Sequence, residues 1–547
     1  MNYFGENNIQ LEVIASVNKM FVRFRIIVEF ILLSLTMANG ARILAVFSNP
    51  SYSHHQVFNC LVDAYLEQGH QVVVITAYPV YPKGQVPRNL TQIDIKEISL
   101  KIWDEEISKP IANKENNIVT LCTYSLTSFV KIVKKQFEIE EVKAIIENKN
   151  ITYDLIVTES LMKTNLMISH FHKAPVLEIN SFGPVYRDME NFGAPEQPLL
   201  YPNCMRKRLI NLTLFEEISE LHVDLSLQRL IYNVLYLGSN NAMKNTPEFN
   251  SVPAMEILQN NAQMLYLNTH PIWDGIRPVP LSVVYIYGIH KKPYEELPKN
   301  ISSYLEASVN GVVYVSFGTT ADLSLYSAKI QVLLNAFSKL PYDILFKWPK
   351  DELPGKPDNV KIAKWFPQAD LLKHPKVKVF ITQGGIQSTD EAIDAGVPLI
   401  GIPLIWDQWA STERYMRHGI GIKLEMNTIT EELIINAVTT IISDSSYRRN
   451  IVRLRALLWD APQQPLERAL WWTRYMLRHG GASHLRAPAA NMSYAEFFEV
   501  ELFLILFASS TTLILCTIFI CMKYLIPTFN FGLDWLKCKY IHVKYNI

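Results

Sequence analysis

Cysteine is scarce, with six in 547 residues, so a disulfide framework is excluded. Charge is scarce as well: Asp, Glu, Lys and Arg make up 19% of the chain, below the roughly 25% of soluble domains. The 52 basic and 52 acidic residues cancel, which argues against binding nucleic acid through a general positive field. Glycine is missing where a dinucleotide enzyme needs it. The first apolar run is followed by Ser48, Asn49, Pro50, Ser51, Tyr52, Ser53, His54 and His55, with no Gly-x-Gly-x-x-Gly loop. A hydride-transfer enzyme is discounted accordingly, and the Walker phosphate loop is also absent. Apolar residues are plentiful at 49%, enough for two large cores, and the length suggests about three or four units.

Two terminal segments stand apart. Arg23 and Arg25 precede an apolar run at 26–35, and Ala38, Asn39, Gly40 and Ala41 follow it. That order is the order of a secretory signal, expected over 1–40, with Met20 as an alternative start and Glu29 as a blemish. Residues 502–522 hold no charge between Glu501 and Lys523, long enough for a membrane-spanning helix. The tail 523–547 carries Lys523, Lys537, Lys539 and Lys544 against Asp534, which the positive-inside rule puts in the cytoplasm. The expectation is a single-pass type I protein with its bulk in the lumen. Five glycosylation sequons, at Asn89, Asn150, Asn211, Asn300 and Asn491, agree with that topology. Lys544 near the C-terminus favours the endoplasmic reticulum over the plasma membrane, although Tyr545 replaces the second Lys of a dilysine signal.

Between these ends, short apolar runs alternate with helix-length stretches. Strands are expected at 43–47, 72–76, 154–158 and 176–179, with helices at 57–68 and 129–148. Residues 199–261 read as mostly helical. A Pro-rich passage containing Pro271, Pro278, Pro280, Pro293 and Pro298 reads as a linker. The alternation then restarts, with strands expected at 312–317, 344–348, 377–382 and 398–402 and a helix at 325–340. The fold class is α/β: two doubly wound, Rossmann-like domains facing a cleft, at 41–285 and 286–493. Ligands of such sheets bind at the carboxyl ends of the strands, at the switch point of strand order.

One loop could hold phosphate. Thr382, Gln383, Gly384, Gly385, Ile386, Gln387 and Ser388 follow a strand and open a helix, so free N–H groups could face an anion. Ser388-x-x-Glu391 has the form of a capping box, and Gly396 with Pro398 stops the helix. Around this loop the sequence resembles the UDP-glycosyltransferase family, which includes membrane-bound UDP-glucuronosyltransferases and insect UDP-glucosyltransferases. The resemblance rests on Trp365-Phe366-Pro367-Gln368, Thr382 to Gly385, Glu391-Ala392, Gly396-Val397-Pro398 and Asp407-Gln408, with Ser316-Phe317-Gly318-Thr319 and Arg277-Pro278 elsewhere. It covers nearly all of the chain, and Pro50 to His54 resembles insect members.

The resemblance implies a GT-B fold, with the acceptor held by the N-terminal half and UDP-sugar by the C-terminal half. Trp365, beside Phe366, offers a flat face for uracil, where stacking is worth about 1–3 kcal/mol. Gln368 could serve the donor and acceptor positions of uridine. Glu391 either binds ribose hydroxyls or completes the capping box. Asp407 and Gln408 would bind the sugar hydroxyls. Ser316, Gly318, Thr319, Thr382, Gln383, Gln387, Ser388 and the Gly384–Gly385 backbone fit the phosphates, and Arg277 would reach the same diphosphate. No Asp-x-Asp occurs in the chain, so no metal and no cofactor are expected, and UDP-sugar is a co-substrate.

For the chemistry, the family pattern selects His54 as the base that takes the acceptor's proton, with Glu159 orienting it where relatives often carry Asp. His55 is expected to point elsewhere. The implied reaction is an inverting, metal-independent hexosyl transfer, glucose favoured, from UDP-sugar to a hydroxyl of a small lipophilic acceptor, a detoxification-type conjugation. Two rivals are kept: a UDP-sugar or lipophile binding protein of the same fold, prompted by Gln383 where most relatives have His, and a processive synthase, which usually shows several membrane spans or a metal motif.

Overall fold

A computed structural model describes residues 40–544 apart from 83, 109–117, 186, 210, 245 and 320–322. The expected signal at 1–40 therefore lies, Gly40 excepted, outside the described residues. The described residues up to Pro488 form one compact unit, and the described residues from Ala489 onward form a second.

The compact unit contains two parallel sheets. The first runs β1 (Arg42–Phe47), β2 (Gln71–Thr76), β3 (Leu90–Asp94), β4 (Leu155–Glu159), β5 (Val176–Asn180), β6 (Ala262–Leu267) and β7 (Val283–Tyr285), in the order β3-β2-β1-β4-β5-β6-β7. The second runs β8 (Val312–Ser316), β9 (Asp343–Lys347), β10 (Val360–Ala363), β11 (Val377–Thr382), β12 (Leu399–Gly401) and β13 (Gly421–Lys423), in the order β10-β9-β8-β11-β12-β13. In each sheet the order reverses direction at one place, between β1 and β4 and between β8 and β11. Those two switch points are where side chains beyond the strand ends face open space and not a crossing helix.

Both faces of both sheets are covered, which is why the central strands read as unbroken apolar runs. Leu44 and Val46 enter one core while Ile43, Ala45 and Phe47 enter the other. Val313 and Val315 oppose Val312 and Tyr314 in the same way.

The structure departs from the sequence reading in several places. The helix expected at 129–148 is two helices, Ile118–Phe137 and Glu140–Glu147, parted by Ile139 in an extended conformation. The Pro-rich stretch is no plain linker, for it carries β7. Being an edge strand, β7 tolerates Pro280 just before it, because no neighbour needs that missing N–H. The span 286–493 does not pack as one body either. Its helix Pro465–His479 returns to the first sheet, where the Tyr266 hydroxyl donates to the Ala469 carbonyl at 2.7 Å and Tyr65 meets Thr473 at 3.0 Å.

Among the sequons, Asn150, Asn211 and Asn300 are exposed and Asn491 is half-buried. Asn89 is different: its amide nitrogen, the atom that would carry a sugar, donates to the carbonyls of Leu66 and His70 at 3.1 and 3.0 Å. Asn89 is thus corrected from a glycan acceptor to a loop brace. In the second unit, Val500–Ile520 is helical and matches the span expected at 502–522. Among the described residues, the one helix long and apolar enough to cross a membrane runs from Val500 to His542, so the expected tail continues as helix.

Candidate active site

Four chain segments converge at the two switch points: those leaving β1, β4, β8 and β11. After β1, Asn49 folds its side-chain carbonyl onto the Ser51 N–H at 2.9 Å and starts the helix Tyr52–Glu67. This sets His54 in the helix's first turn, facing Glu159 at the end of β4. Glu159 Oε1 accepts from His54 Nδ1 at 3.1 Å and from the Asn49 amide at 3.0 Å. Glu159 is fully buried, and burial raises its pKa while the bonds from His54 and Asn49 hold it down. A carboxylate on Nδ1 fixes the ring proton there and leaves the Nε2 lone pair free to take another.

His55 has no such freedom. Its Nε2 donates to the Asn49 carbonyl at 2.8 Å, and Nδ1 accepts from the Thr76 hydroxyl at 3.1 Å. Burial lowers its pKa to about 4, so it stays neutral.

In the second half, Gly384 has φ +93°, and a Cβ there would stand 2.8 Å from Thr412 Cγ2. Gly385 caps the helix Ile386–Ala395 with no side chain bonded to its first N–H groups, which therefore face the cleft unspent. Ser388 lies inside this helix, so the capping box read at Ser388-x-x-Glu391 does not form. Both residues instead serve Gln368, whose amide nitrogen donates to Ser388 Oγ at 2.9 Å and to Glu391 Oε2 at 2.7 Å. The Gln368 carbonyl accepts from the Tyr314 hydroxyl at 3.0 Å. Gln368 is thus occupied on both sides, and the expectation that it meets uridine with donor and acceptor is corrected. A nearly buried Glu391 needs a donor, and Gln368 supplies one; burial still raises the Glu391 pKa.

Trp365 is 58% exposed, with the Lys347 ammonium 4.4 Å from its ring centre and Tyr52 edge-on at 6.4 Å. It is a shelf at the cleft and no core aromatic. Phe366, by contrast, is buried edge-on to Tyr314, out of a ligand's reach. Arg277 also lies elsewhere than expected. It is buried against Asp274 at 3.4 Å and over the Tyr201 ring, and Asp274 also binds Arg414 at 3.1 Å. It shares that one carboxylate with Arg414, which holds it in the cluster while its buried Nε stays without a partner.

Gln408 is likewise reassigned. Its side-chain carbonyl accepts from the N–H groups of Leu404 and Ile405 at 2.8 and 2.9 Å, pinning a loop in which Trp406 has φ +59°. That strained turn aims Asp407 at the cavity, where burial pushes its carboxyl up to about 6 while nearby His54 pulls it down. Gln387 donates to the Ser181 carbonyl at 3.3 Å, a bond between the two halves. Ser316 and Thr382 are buried at their strand ends, and Thr319 is exposed. Gly318 has φ +74° and leaves room for Gln383, whose amide nitrogen a Cβ would meet at 2.3 Å.

The cavity so formed is lined from both halves. Its polar lining includes Asn49, Ser51, His54, Gln383, Gln387 and Asp407. Trp103, Phe129, Leu161, Phe182, Val185, Met205 and Trp406 give it an apolar wall. Sequence reasoning missed this wall, because its members are scattered apolar residues that no spacing distinguishes from core. Among the described residues no group of three or more His, Cys, Asp or Glu could hold a metal.

The chain is similar to known proteins over most of its length. A family model described as UDP-glucoronosyl and UDP-glucosyl transferase matches residues 42–536. The chain is 34% identical over 485 residues to an ecdysteroid UDP-glucosyltransferase of Spodoptera littoralis nuclear polyhedrosis virus, covering 85% of this chain and 93% of that one. It is 31% identical over 498 residues to UDP-glycosyltransferase UGT5 of Dactylopius coccus, covering 88% and 92%. In fold it matches a UDP-glucose: anthocyanidin 3-O-glucosyltransferase in complex with UDP, with TM-score 0.53 at 15% identity over 81% of this chain and 100% of that one. The calicheamicin glycosyltransferase CalG4 matches with TM-score 0.53 at 16% identity, over 80% and 99%. With two parallel Rossmann-like sheets, a histidine and carboxylate at one switch point and a two-glycine loop at the other, the chain belongs to the family of UDP-glucoronosyl and UDP-glucosyl transferases and is a GT-B UDP-glycosyltransferase.

Proposed function

We propose that the protein transfers glucose from UDP-glucose, with inversion and without a metal, to a hydroxyl of a small neutral lipophilic acceptor. The observation that carries this reading is the His54–Glu159 pair beside an apolar wall. In the reaction, His54 Nε2 takes the acceptor's hydroxyl proton as its oxygen attacks the anomeric carbon. The bond from that carbon to the diphosphate breaks, and UDP leaves with the electron pair. Displacement from the far side turns the α-linked donor into a β-glycoside. Trp365 stacks uracil, Glu391 takes ribose hydroxyls through its remaining oxygen, and Asp407 receives a sugar hydroxyl. Free N–H groups at the start of the helix Ile386–Ala395 stabilise the departing diphosphate.

Glucose is favoured because relatives over most of the chain are named UDP-glucosyltransferases. Ecdysteroids, which those names give as the acceptor of the viral relatives, belong in the first acceptor panel beside simple phenols. A detoxification role fits the apolar wall. The test is UDP release with UDP-glucose and UDP-glucuronate against that panel. Glucuronate-only turnover would overturn the donor assignment, and UDP binding without any release would favour the binding-protein reading.

The proposed setting is the endoplasmic reticulum membrane, type I, with the body lumenal and glycosylated at exposed sequons. Exposure of Asn150, Asn211 and Asn300 supports it. Protease added to sealed microsomes should then trim only the C-terminal tail, and digestion of the body would reverse the topology.

A further inference from the structure

A second cavity lies where the chain crosses between the two halves, and it shares no lining residue with the catalytic one. Counting its open mouth it encloses about 960 Å³. One wall is the segment around β7, and the other joins the end of the helix Ser446–Trp459 to the start of the helix Pro465–His479. Both crossings of the chain therefore border it. Its aromatic lining includes the half-buried Trp459 and Trp472, with the Lys291 ammonium 3.8 Å from the Trp459 ring centre, and the buried Tyr287.

Its polar lining comprises Arg468, His270, Gln463, Gln464 and the two tyrosines Tyr285 and Tyr287. Arg468 spends one N–H on the Tyr285 carbonyl at 3.2 Å and forms no ion pair among the described residues. No carboxylate lines the cavity to meet the guanidinium's remaining N–H groups. His270 Nδ1 accepts from the Ile272 N–H at 3.1 Å, which places the neutral ring's proton on Nε2. Burial first, and then the Arg468 charge, lower the His270 pKa and keep the ring neutral. A half-buried guanidinium without a counter-charge, an imidazole N–H and aromatic walls together describe a receptor for one kind of molecule.

We propose that this cavity binds a small aromatic carboxylate, with its acid group on Arg468 and His270 and its ring against Trp459 and Trp472. Arg468 supplies a two-pronged charge-assisted contact, which a neutral analogue could not use.

The experiment is photolabelling of the full-length protein in phosphatidylcholine nanodiscs with benzophenone-carboxylate, followed by peptide mapping. Label is expected in peptides covering 279–287 or 458–472, with protection by unlabelled naphthoate. Arg468→Gln should reduce labelling about tenfold and Arg468→Lys much less, with melting temperature and UDP binding unchanged. His270→Asn keeps an acceptor for Ile272 and loses the second donor, so it should weaken labelling severalfold and serves if Arg468→Gln fails to fold. Label confined to the Trp103 and Phe129 wall, or equal labelling of Arg468→Gln, would overturn the proposal. Protection by phosphatidylserine in the discs but not by naphthoate would also overturn it, in favour of a lipid site.

Discussion

His54 and His55 are neighbours with opposite environments, so each should fail in its own way when replaced. His54→Ala should lower turnover by about 10² to 10⁴, the usual worth of a general base, and leave UDP affinity nearly unchanged. His55→Ala strands the Thr76 hydroxyl and the Asn49 carbonyl, and should lower the melting temperature more than the rate constant. A dead His55→Ala beside an active His54→Ala would reverse the assignment. His55 also makes the fold acid-sensitive. Its pKa falls from 6.5 to about 4 on folding, so its contribution is complete above the upper value and is lost as pH drops through that window, where only the unfolded chain takes up the proton. Gln383 is the third residue to test. Its buried carbonyl oxygen has no partner, and under the proposed function it would offer the diphosphate only a neutral donor. Gln383→His should raise UDP-glucose turnover severalfold, since a charge-assisted bond is about twice as strong. Equal or lower turnover would count against a diphosphate role.

At the scale of elements, the sequence revealed the parts that repeat and hid the parts that depend on distant partners. Buried parallel strands announce themselves as unbroken apolar runs, so β1, β2, β4, β5, β8, β9, β11 and β12 were legible, whereas β6, equally buried but with Gln263 in it, was not. The short strands β3, β7, β10 and β13 lie at or beside sheet edges and carry too few apolar residues to stand out. The position of the site followed from strand ends, and the closeness of His54 to Glu159 was readable in that way. The duties of Gln368 and Gln408 were not, because each depends on groups that folding brings near: Tyr314 and Glu391 for the first, a strained loop for the second. Arg277 was misjudged for the same reason, since Asp274 claims it. Gln368→Ala should therefore weaken UDP binding indirectly, by leaving Glu391 without its donor. Restoration by Gln368→Glu, which cannot donate when ionised, would refute that account in a UDP titration.

At the scale of the whole molecule, the returning helix Pro465–His479 closes the first half with material from the far end of the chain. Ala469, Thr473 and Met476 are buried on it, and Arg486 just beyond it donates to the Asn260 and Ala262 carbonyls at 3.1 and 3.0 Å. A chain stopped after Pro488 should keep its cooperative melt and UDP binding. A chain stopped after Gln464 should lose both, and an intact melt in that shorter form would show the helix to be dispensable. The same helix sets a timetable for synthesis. Tyr65 and the Thr473 hydroxyl it meets are 408 residues apart in sequence. At roughly 5–20 residues per second, a ribosome needs about 20–80 s to deliver the second after the first. The first sheet is complete only at Tyr285, the end of β7. For the last part of that interval, roughly 10–40 s, the patch that the helix will cover is made but bare, and the nascent chain spends longer with exposed apolar surface than either half would if it folded by itself.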